Sequence, residues 1–233
     1  MYRILNYNIH HGVDLSGKDT LLEIGNLISD LAIDFCLLQE IDYANDRSLG
    51  VDQLQMLATY SALPFTAPAK IFPYRNGHYG TGILSSFPLL SNILIPLPIL
   101  GSGEKEDTIG KLHKVEPRAI QQVSIQIPEA NLTLLNTHFS MWPIERAEGF
   151  KQLTQYFKTS EPTILGGDFN TIIEGEYSAL LPYQQELFPT FINPLPTQPI
   201  DRFFAKNLIV HNIFTLPVEF SDHLPIVLEF DFV

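Results

Sequence analysis

Apolar residues recur along this chain in two spacings. Leu21, Ile24, Leu27, Ile28 and Leu31 follow one another at intervals of three or four, which puts them on one face of a helix over Thr20–Leu31. Similar spacing predicts helices over Asp52–Tyr60 and Ile144–Phe157. Between these lie short, dense apolar runs that read as strands: Arg3–Ile9, Ile33–Leu38, Gly80–Ser85, Ser91–Leu97, Arg118–Ile127, Leu132–His138, Thr163–Leu165, Ile200–Ala205, Leu208–Phe214 and Pro225–Phe232. Gln121–Ile127 alternates apolar and polar, as a half-exposed strand does, while Ile33–Leu38 is apolar nearly throughout, as a buried strand is. The stretch 96–116 holds three glycines and mixed charges, and 181–199 holds five prolines. Both predict long surface loops, either binding segments or variable excursions. Helices interleaved with many strands imply sheets with helices on their outer faces, and two packed sheets would cover the doubly apolar strands. No repeat or low-complexity linker divides the chain, so residues 1–233 are expected to form one domain.

Composition narrows the function. A chain with 45% hydrophobic and 17% charged residues belongs among folded globules, not disordered chains. The net charge of −12 and the absence of any basic run oppose tight non-specific binding of a phosphate backbone. A nuclease is not excluded, because a divalent cation can neutralise an acidic site locally. The single cysteine, Cys36, rules out an intramolecular disulfide and sits where a small buried hydrophobe is expected. The first residues lack a basic segment leading into an apolar one, and no apolar stretch approaches about 20 residues. The expectation is a cytoplasmic monomer without a transmembrane helix.

Chemistry enters where polar groups interrupt the apolar strands. Asn8 follows Ile4-Leu5-Asn6-Tyr7, Glu40 follows Leu37-Leu38-Gln39, and His138 follows Leu135-Asn136-Thr137. Asp168 and Asn170 follow Leu165-Gly166-Gly167, and Asp222-His223 precede Leu224-Pro225-Ile226. Singly, each has a plain structural explanation: a solvated strand end, an Asx turn at Asp168–Asn170, a loop cap at Ser221-Asp222. Together they supply what phosphate-ester hydrolysis requires. Mg²⁺ or Mn²⁺ takes oxygen ligands, which Glu40 and Asn8 offer. Asp168 can orient an attacking water, Asn170 and His138 can meet phosphoryl oxygens, and Asp201 can orient His223 by accepting its other ring proton.

These residues resemble the endonuclease/exonuclease/phosphatase superfamily, the deoxyribonuclease-like metal-dependent phosphoesterases. The resemblance is carried, in order along the chain, by Tyr7-Asn8-Ile9-His10, Leu38-Gln39-Glu40, Tyr79-Gly80-Thr81-Gly82-Ile83-Leu84-Ser85, Glu116-Pro117-Arg118, Asn136-Thr137-His138, Gly166-Gly167-Asp168-Phe169-Asn170, Ile200-Asp201-Arg202 and Ser221-Asp222-His223-Leu224-Pro225. It implies an α/β fold, a four-layer α/β/β/α sandwich of two packed mixed sheets with outer helices. It implies Glu40 as principal metal ligand with Asn8 and Asp222 beside it. Asp168 would activate water, Asn170 and His138 would contact phosphate, and His223 would pair with Asp201. A histidine at 138 is closer to the deoxyribonuclease and sphingomyelinase-like branches than to the lesion-specific DNA-repair branch, which usually has tyrosine there. Ser86, Ala119 and Arg202 depart from the usual pattern and bear on substrate choice.

Arg118 is the further candidate for phosphate contact, with an ion pair to Glu116 as its structural alternative. His10 and His11 are expected at the rim. Tyr74, Arg75, His78 and Tyr79 read as cover for a sheet edge, with a leaving-group contact as the alternative. Met141-Trp142-Pro143 offers either an exposed ring for stacking or packing beneath the next helix. The expected function is hydrolysis of a small or lipid-like phosphodiester or phosphomonoester by an Asp168-oriented water. The alternatives are a nuclease using the same centre and, as a lesser one, a non-catalytic binding module, against which the retained carboxylate cluster argues.

Overall fold

In β1 (Tyr2–Asn8) alternate side chains enter two different interiors. Leu5 and Tyr7 join one apolar core, while Ile4 joins another on the opposite face. The computed structural model describes residues 1–100, 104–106, 112–159, 162–192 and 195–233. Along the chain β1 is followed by α1 (Leu21–Asp30), β2 (Phe35–Tyr43), α2 (Gln53–Ser61), β3 (Phe65–Tyr74), β4 (Gly77–Ser85) and β5 (Leu89–Pro96). Then come β6 (Glu104–Glu106), β7 (Leu112–Lys114), β8 (Ala119–Gln126), β9 (Asn131–His138), α3 (Pro143–Thr159) and β10 (Thr163–Asp168). The set closes with β11 (Phe191–Ile192), β12 (Pro196–Gln198), β13 (Asp201–Lys206), β14 (Leu208–Thr215) and β15 (Ile226–Phe232).

Six strands form one mixed sheet in the order β14-β15-β1-β2-β4-β3, and five form a second in the order β13-β10-β9-β8-β5. The helices α1 and α2 cover the outer face of the first through Leu21, Ile24, Ile28, Leu54 and Leu57. The helix α3 covers the second through Phe150, Leu153 and Phe157. Between the sheets lies a third core, in which Phe35, Leu37 and Ile83 of the first meet Val123, Leu134, Ile164 and Phe203 of the second. The arrangement is the expected α/β/β/α sandwich.

Toward one end of this inner core the side chains turn polar in register. Asn6, Gln39, Thr81, Gln121 and Asn136 are all buried and form a belt of amides and a hydroxyl across the two sheets. Gln39 Nε2 donates to Asn6 Oδ1 (2.9 Å) and Asn136 Oδ1 (2.7 Å). Asn136 Nδ2 donates to the carbonyls of Leu38 and Gly82, each at 3.1 Å, and so ties the second sheet to the first. Two residues further along the same faces stand Asn8, Tyr79 and His138. Each inner face therefore runs from apolar core through polar belt to candidate chemistry. An Asn136→Leu variant would remove the amide donor from both carbonyls and leave Gln39 only its bond to Asn6 in the interior. It should lose about 3 kcal/mol of unfolding free energy in a denaturant titration, since each orphaned buried polar group costs about 1–3 kcal/mol.

Several sequence expectations need correction. The strand expected to end near Leu38 runs on to Tyr43 through a bulge in which Gln39 and Glu40 stand opposite Thr81 alone. Glu40 is thus held mid-strand at φ 62°, a left-handed conformation unusual for a branchless acidic residue. β3 was not anticipated; it is the edge strand next to β4 and tolerates Pro68 and Pro73 for that reason. The expected loop 96–116 carries the β6–β7 pair, with residues 101–103 and 107–111 outside the described set. The expected loop 181–199 carries the β11–β12 pair and the end of a 3₁₀ segment over Glu174–Tyr183, with 193 and 194 outside the described set. Among the described residues no helix is long and apolar enough to cross a membrane.

Candidate active site

The strand ends beyond the polar belt open into a cavity of about 600 Å³. Glu40, Arg118, His138, Asp168, Asn170, Asp222 and His223 all line it. Asn8, buried at the end of β1, links the carboxylates from beneath. Its Nδ2 lies 3.2 Å from Glu40 Oε1 and 3.1 Å from Asp168 Oδ2, and 3.5 Å from His223 Nε2. Its Oδ1 accepts the backbone N–H of His10 at 3.1 Å.

Asp168 ends β10 immediately after Gly166-Gly167. At Gly167, where φ is +157°, a Cβ would sit 2.1 Å from the Thr137 carbonyl, so only glycine allows β10 to lie this close to β9. Asp168 Oδ1 accepts the N–H of Asn170 at 2.9 Å, forming the Asx turn, and Asn170 takes φ 50°. Asn170 also donates one amide hydrogen to the Phe139 carbonyl at 3.0 Å, which leaves a second for another acceptor. Behind this turn Arg202 is fully buried, donates to the carbonyls of Thr171 and Pro199, and lies 4.4 Å from the Tyr177 ring centre. It braces the loop and does not line the cavity.

His223 is fixed on both sides. Its Nδ1 lies 2.7 Å from Asp201 Oδ2, and its Nε2 faces Asp168 Oδ2 at 3.7 Å and Asp222 Oδ1 at 3.9 Å. Thr190 donates its hydroxyl to Asp201 Oδ2 at 2.5 Å, and the Phe191 ring stands edge-on to His223 at 5.2 Å. His138 Nε2 lies 3.5 Å from Asp168 Oδ2, and its Nδ1 has no hydrogen-bond partner among the described residues.

These neighbours set the charges. Burial works against a charged His223, but Asp201, Asp168 and Asp222 outweigh it and push its pKa up to about 10, so the ring is an imidazolium at neutral pH. For Asp168, burial and the Asp201 charge dominate over His223, Asn170 and Asn8, and its pKa rises to about 7. His138 is driven well below the ordinary histidine value by burial and then by Arg118, and is neutral. Burial opposes ionisation of Glu40, yet His11, His138, Asn8 and His223 around it hold its carboxyl well below the usual range. The site thus pairs an imidazolium with a neutral imidazole, and an ionised carboxylate with one poised near neutrality.

Other expectations resolve as follows. Arg118 lines the cavity and donates to Glu116 Oε2 at 3.0 Å, the ion pair expected as its structural alternative. His10 and His11 line the cavity, with His11 Nδ1 3.9 Å from Glu40 Oε2. Tyr74 and Tyr79 form part of the cavity wall, whereas Arg75 is exposed in the β3–β4 turn. Met141 lines the cavity; Trp142 is half-buried beside it. Sequence reasoning missed Arg47, Phe72, Thr190 and Phe191. Arg47 lines the cavity, donates to both oxygens of buried Asp42 (2.9 and 2.7 Å), and lies over the Tyr74 ring at 4.8 Å.

Among the described residues, Asp168, Asp201 and His223 offer ligand atoms within 4.8 Å of one another and could hold a metal ion. Asp201 Oδ2 and His223 Nδ1 are already joined by a hydrogen bond, so a cation that took those two atoms would compete with a proton. Glu40 provides a second place. Its Oε1 takes the Asn8 amide, while among the described residues its Oε2 has only the His11 ring at 3.9 Å. Oxygen donors of this kind fit a hard divalent cation.

A model described as the Endonuclease/Exonuclease/phosphatase family matches residues 5–223. The fold is similar to the endonuclease/exonuclease/phosphatase from Beutenbergia cavernae, with a TM-score of 0.77 at 20% identity over 99% of this chain and 71% of that one. It is similar to the protein of the same description from Bacteroides vulgatus, with a TM-score of 0.76 at 17% identity over 100% of this chain and 99% of that one. D. rerio TDP2 complexed with single-strand DNA product is similar too, with a TM-score of 0.68 at 16% identity over 99% of this chain and 98% of that one. No curated protein sequence matches.

Proposed function

The chain belongs to the endonuclease/exonuclease/phosphatase family, which includes metal-dependent phosphoesterases and nucleases, and from that premise we propose that it hydrolyses a small or lipid-type phosphate ester with the help of Mg²⁺ or Mn²⁺. The observation that carries this reading is the line of contacts from Glu40 through Asn8 and Asp168 to His223 and Asp201, of which Glu40, Asp168 and His223 line one cavity and Asn8 and Asp201 are buried behind it.

The residues divide the work. Glu40 and Asp222 would hold the cation by carboxylate oxygens, and Asn8 would join them by turning its amide oxygen outward. When bound, the ion would neutralise phosphoryl charge and stabilise the leaving oxygen. Asp168, with a pKa near 7, accepts the proton of a water and orients it for in-line attack. The His223 imidazolium, oriented by Asp201, stabilises the negative charge that grows on phosphoryl oxygens. Neutral His138 and the free amide hydrogen of Asn170 donate hydrogen bonds to the same oxygens, and Arg118 adds a guanidinium contact.

A chelator should abolish turnover of a generic phosphodiester, and Mg²⁺ or Mn²⁺ should restore it. Glu40→Gln should need far more metal for half-maximal rate. Undiminished turnover in excess chelator would refute the metal role. The nuclease reading has support in the fold shared with D. rerio TDP2, which is complexed with single-strand DNA product. Against it, the chain carries a net charge of −12, and Arg47 is engaged by the Asp42 carboxylate. Plasmid nicking that is metal-dependent and lost in Asp168→Asn would favour the nuclease.

A further inference from the structure

A second cavity of about 440 Å³ abuts the first across two residues, His11 and Arg47, which line both. Its walls are more apolar, with Leu21, Leu22, Leu49, Val51, Met56 and Tyr60 among them, beside the polar Ser48 and Gln53 and one carboxylate, Asp19. Arg47 brings no surplus positive charge, because both oxygens of Asp42 accept from it. A further phosphate of a polynucleotide would meet Asp19 and no uncompensated cation there. An aliphatic chain would be removed from water.

Exposure at the rim of this cavity gives a further sign. Leu49 adopts φ 54° and ψ 33°, in the left-handed region that a bulky residue enters at a cost, and its side chain is 92% exposed. That conformation caps the 3₁₀ turn Asp46–Ser48, and the cap itself does not call for a leucine side chain. Leu22 is 50% exposed on the same cavity. Two leucines so exposed beside a catalytic cavity gain contacts only when something apolar enters.

We propose that this second cavity is a subsite for an uncharged aliphatic arm of the substrate, so that the natural ester is an amphipathic phosphodiester whose second arm passes His11 and Arg47 into the leucine-lined space. The polar pair at the junction suits an ester or hydroxyl oxygen near the phosphorus. The apolar walls suit the chain beyond it. This rests on the phosphoesterase reading and sharpens it.

The test is the Mn²⁺-loaded protein with p-nitrophenyl methyl, butyl and octyl phosphodiesters, released p-nitrophenolate being the readout. The specificity constant should climb with chain length, by about two- to fourfold for each methylene that enters the cavity. Leu22→Ser and Met56→Ser should flatten that climb and leave the methyl ester unchanged. Leu22 is half-exposed, so its variant keeps the fold. Turnover of the methyl ester without any dependence on chain length overturns the subsite and leaves the phosphoesterase reading intact. A climb that survives in both variants places the aliphatic arm elsewhere and also overturns it. Failure to cleave any of the three by folded, metal-loaded protein overturns the phosphoesterase reading itself.

Discussion

Asp168→Asn should lower kcat on a phosphodiester by about 10³-fold or more, while the protein stays folded and still responds to added metal. General-base catalysis by a positioned group contributes about 10²–10⁴-fold, and Asp168 is the carboxylate that both histidines face. The same substitution has a stability signature of known sign. Burial and Asp201 raise the Asp168 pKa from its ordinary 3.8 to about 7, so between those values the folded protein binds more protons here than the unfolded chain does. Stability at this site therefore falls as pH rises through that window. In chelator, the melting temperature of Asp168→Asn relative to wild type should move in the variant's favour from about pH 4 to above pH 7. A variant that keeps wild-type turnover would remove Asp168 from the chemistry.

Asp201→Asn should cost about 10²–10⁴-fold in kcat at pH 8, and its pH profile should show why. Asp201 is the foremost neighbour lifting His223 to a pKa of about 10 against the effect of burial. An imidazolium that serves the reaction is then retained through neutral pH and lost only as pH rises through about 10. With Asn at 201 that alkaline limb should move toward acid. Linkage gives a second readout. A raised histidine pKa contributes stability that is fully present below about 6.5 and lost as pH climbs through the folded value. The stability gap between wild type and variant should be widest in mild acid and close toward pH 10. An unmoved alkaline limb would exclude His223 as the titrating group.

Much of this was legible in the sequence because the candidate residues interrupt apolar strands in a fixed order. Asn8, His138 and Asp168 could be placed because each closes an apolar strand run, and Asp222-His223 because they stand just before one. Glu40 was found for a partly wrong reason. It stands in a bulge that reverses the alternation mid-strand, and nothing in Leu37-Leu38-Gln39-Glu40-Ile41 announces an extra residue. β3 escaped because Pro68 and Pro73 argue against a strand unless its edge position is known. Thr190 and Phe191 escaped for a different reason. They lie in a proline-rich stretch without periodicity, and their contacts to Asp201 and His223 are made across the fold. Arg47 gave no signal because its role depends on Asp42, Tyr74 and a cavity that only the tertiary structure creates.

The amide belt between the sheets has one more consequence. Asn8 and Glu40 ride on one sheet, and His138 and Asp168 on the other. Greasy surfaces alone could slide past one another at little expense, and a slip of one residue, about 3.3 Å, would carry Asn8 out of reach of Asp168. Because Asn136 and Gln39 point their hydrogen bonds at particular atoms across the gap, the two halves meet in a single alignment. The belt works as a keyway: it fixes the spacing of the reacting groups from below, where neither solvent nor substrate can disturb it.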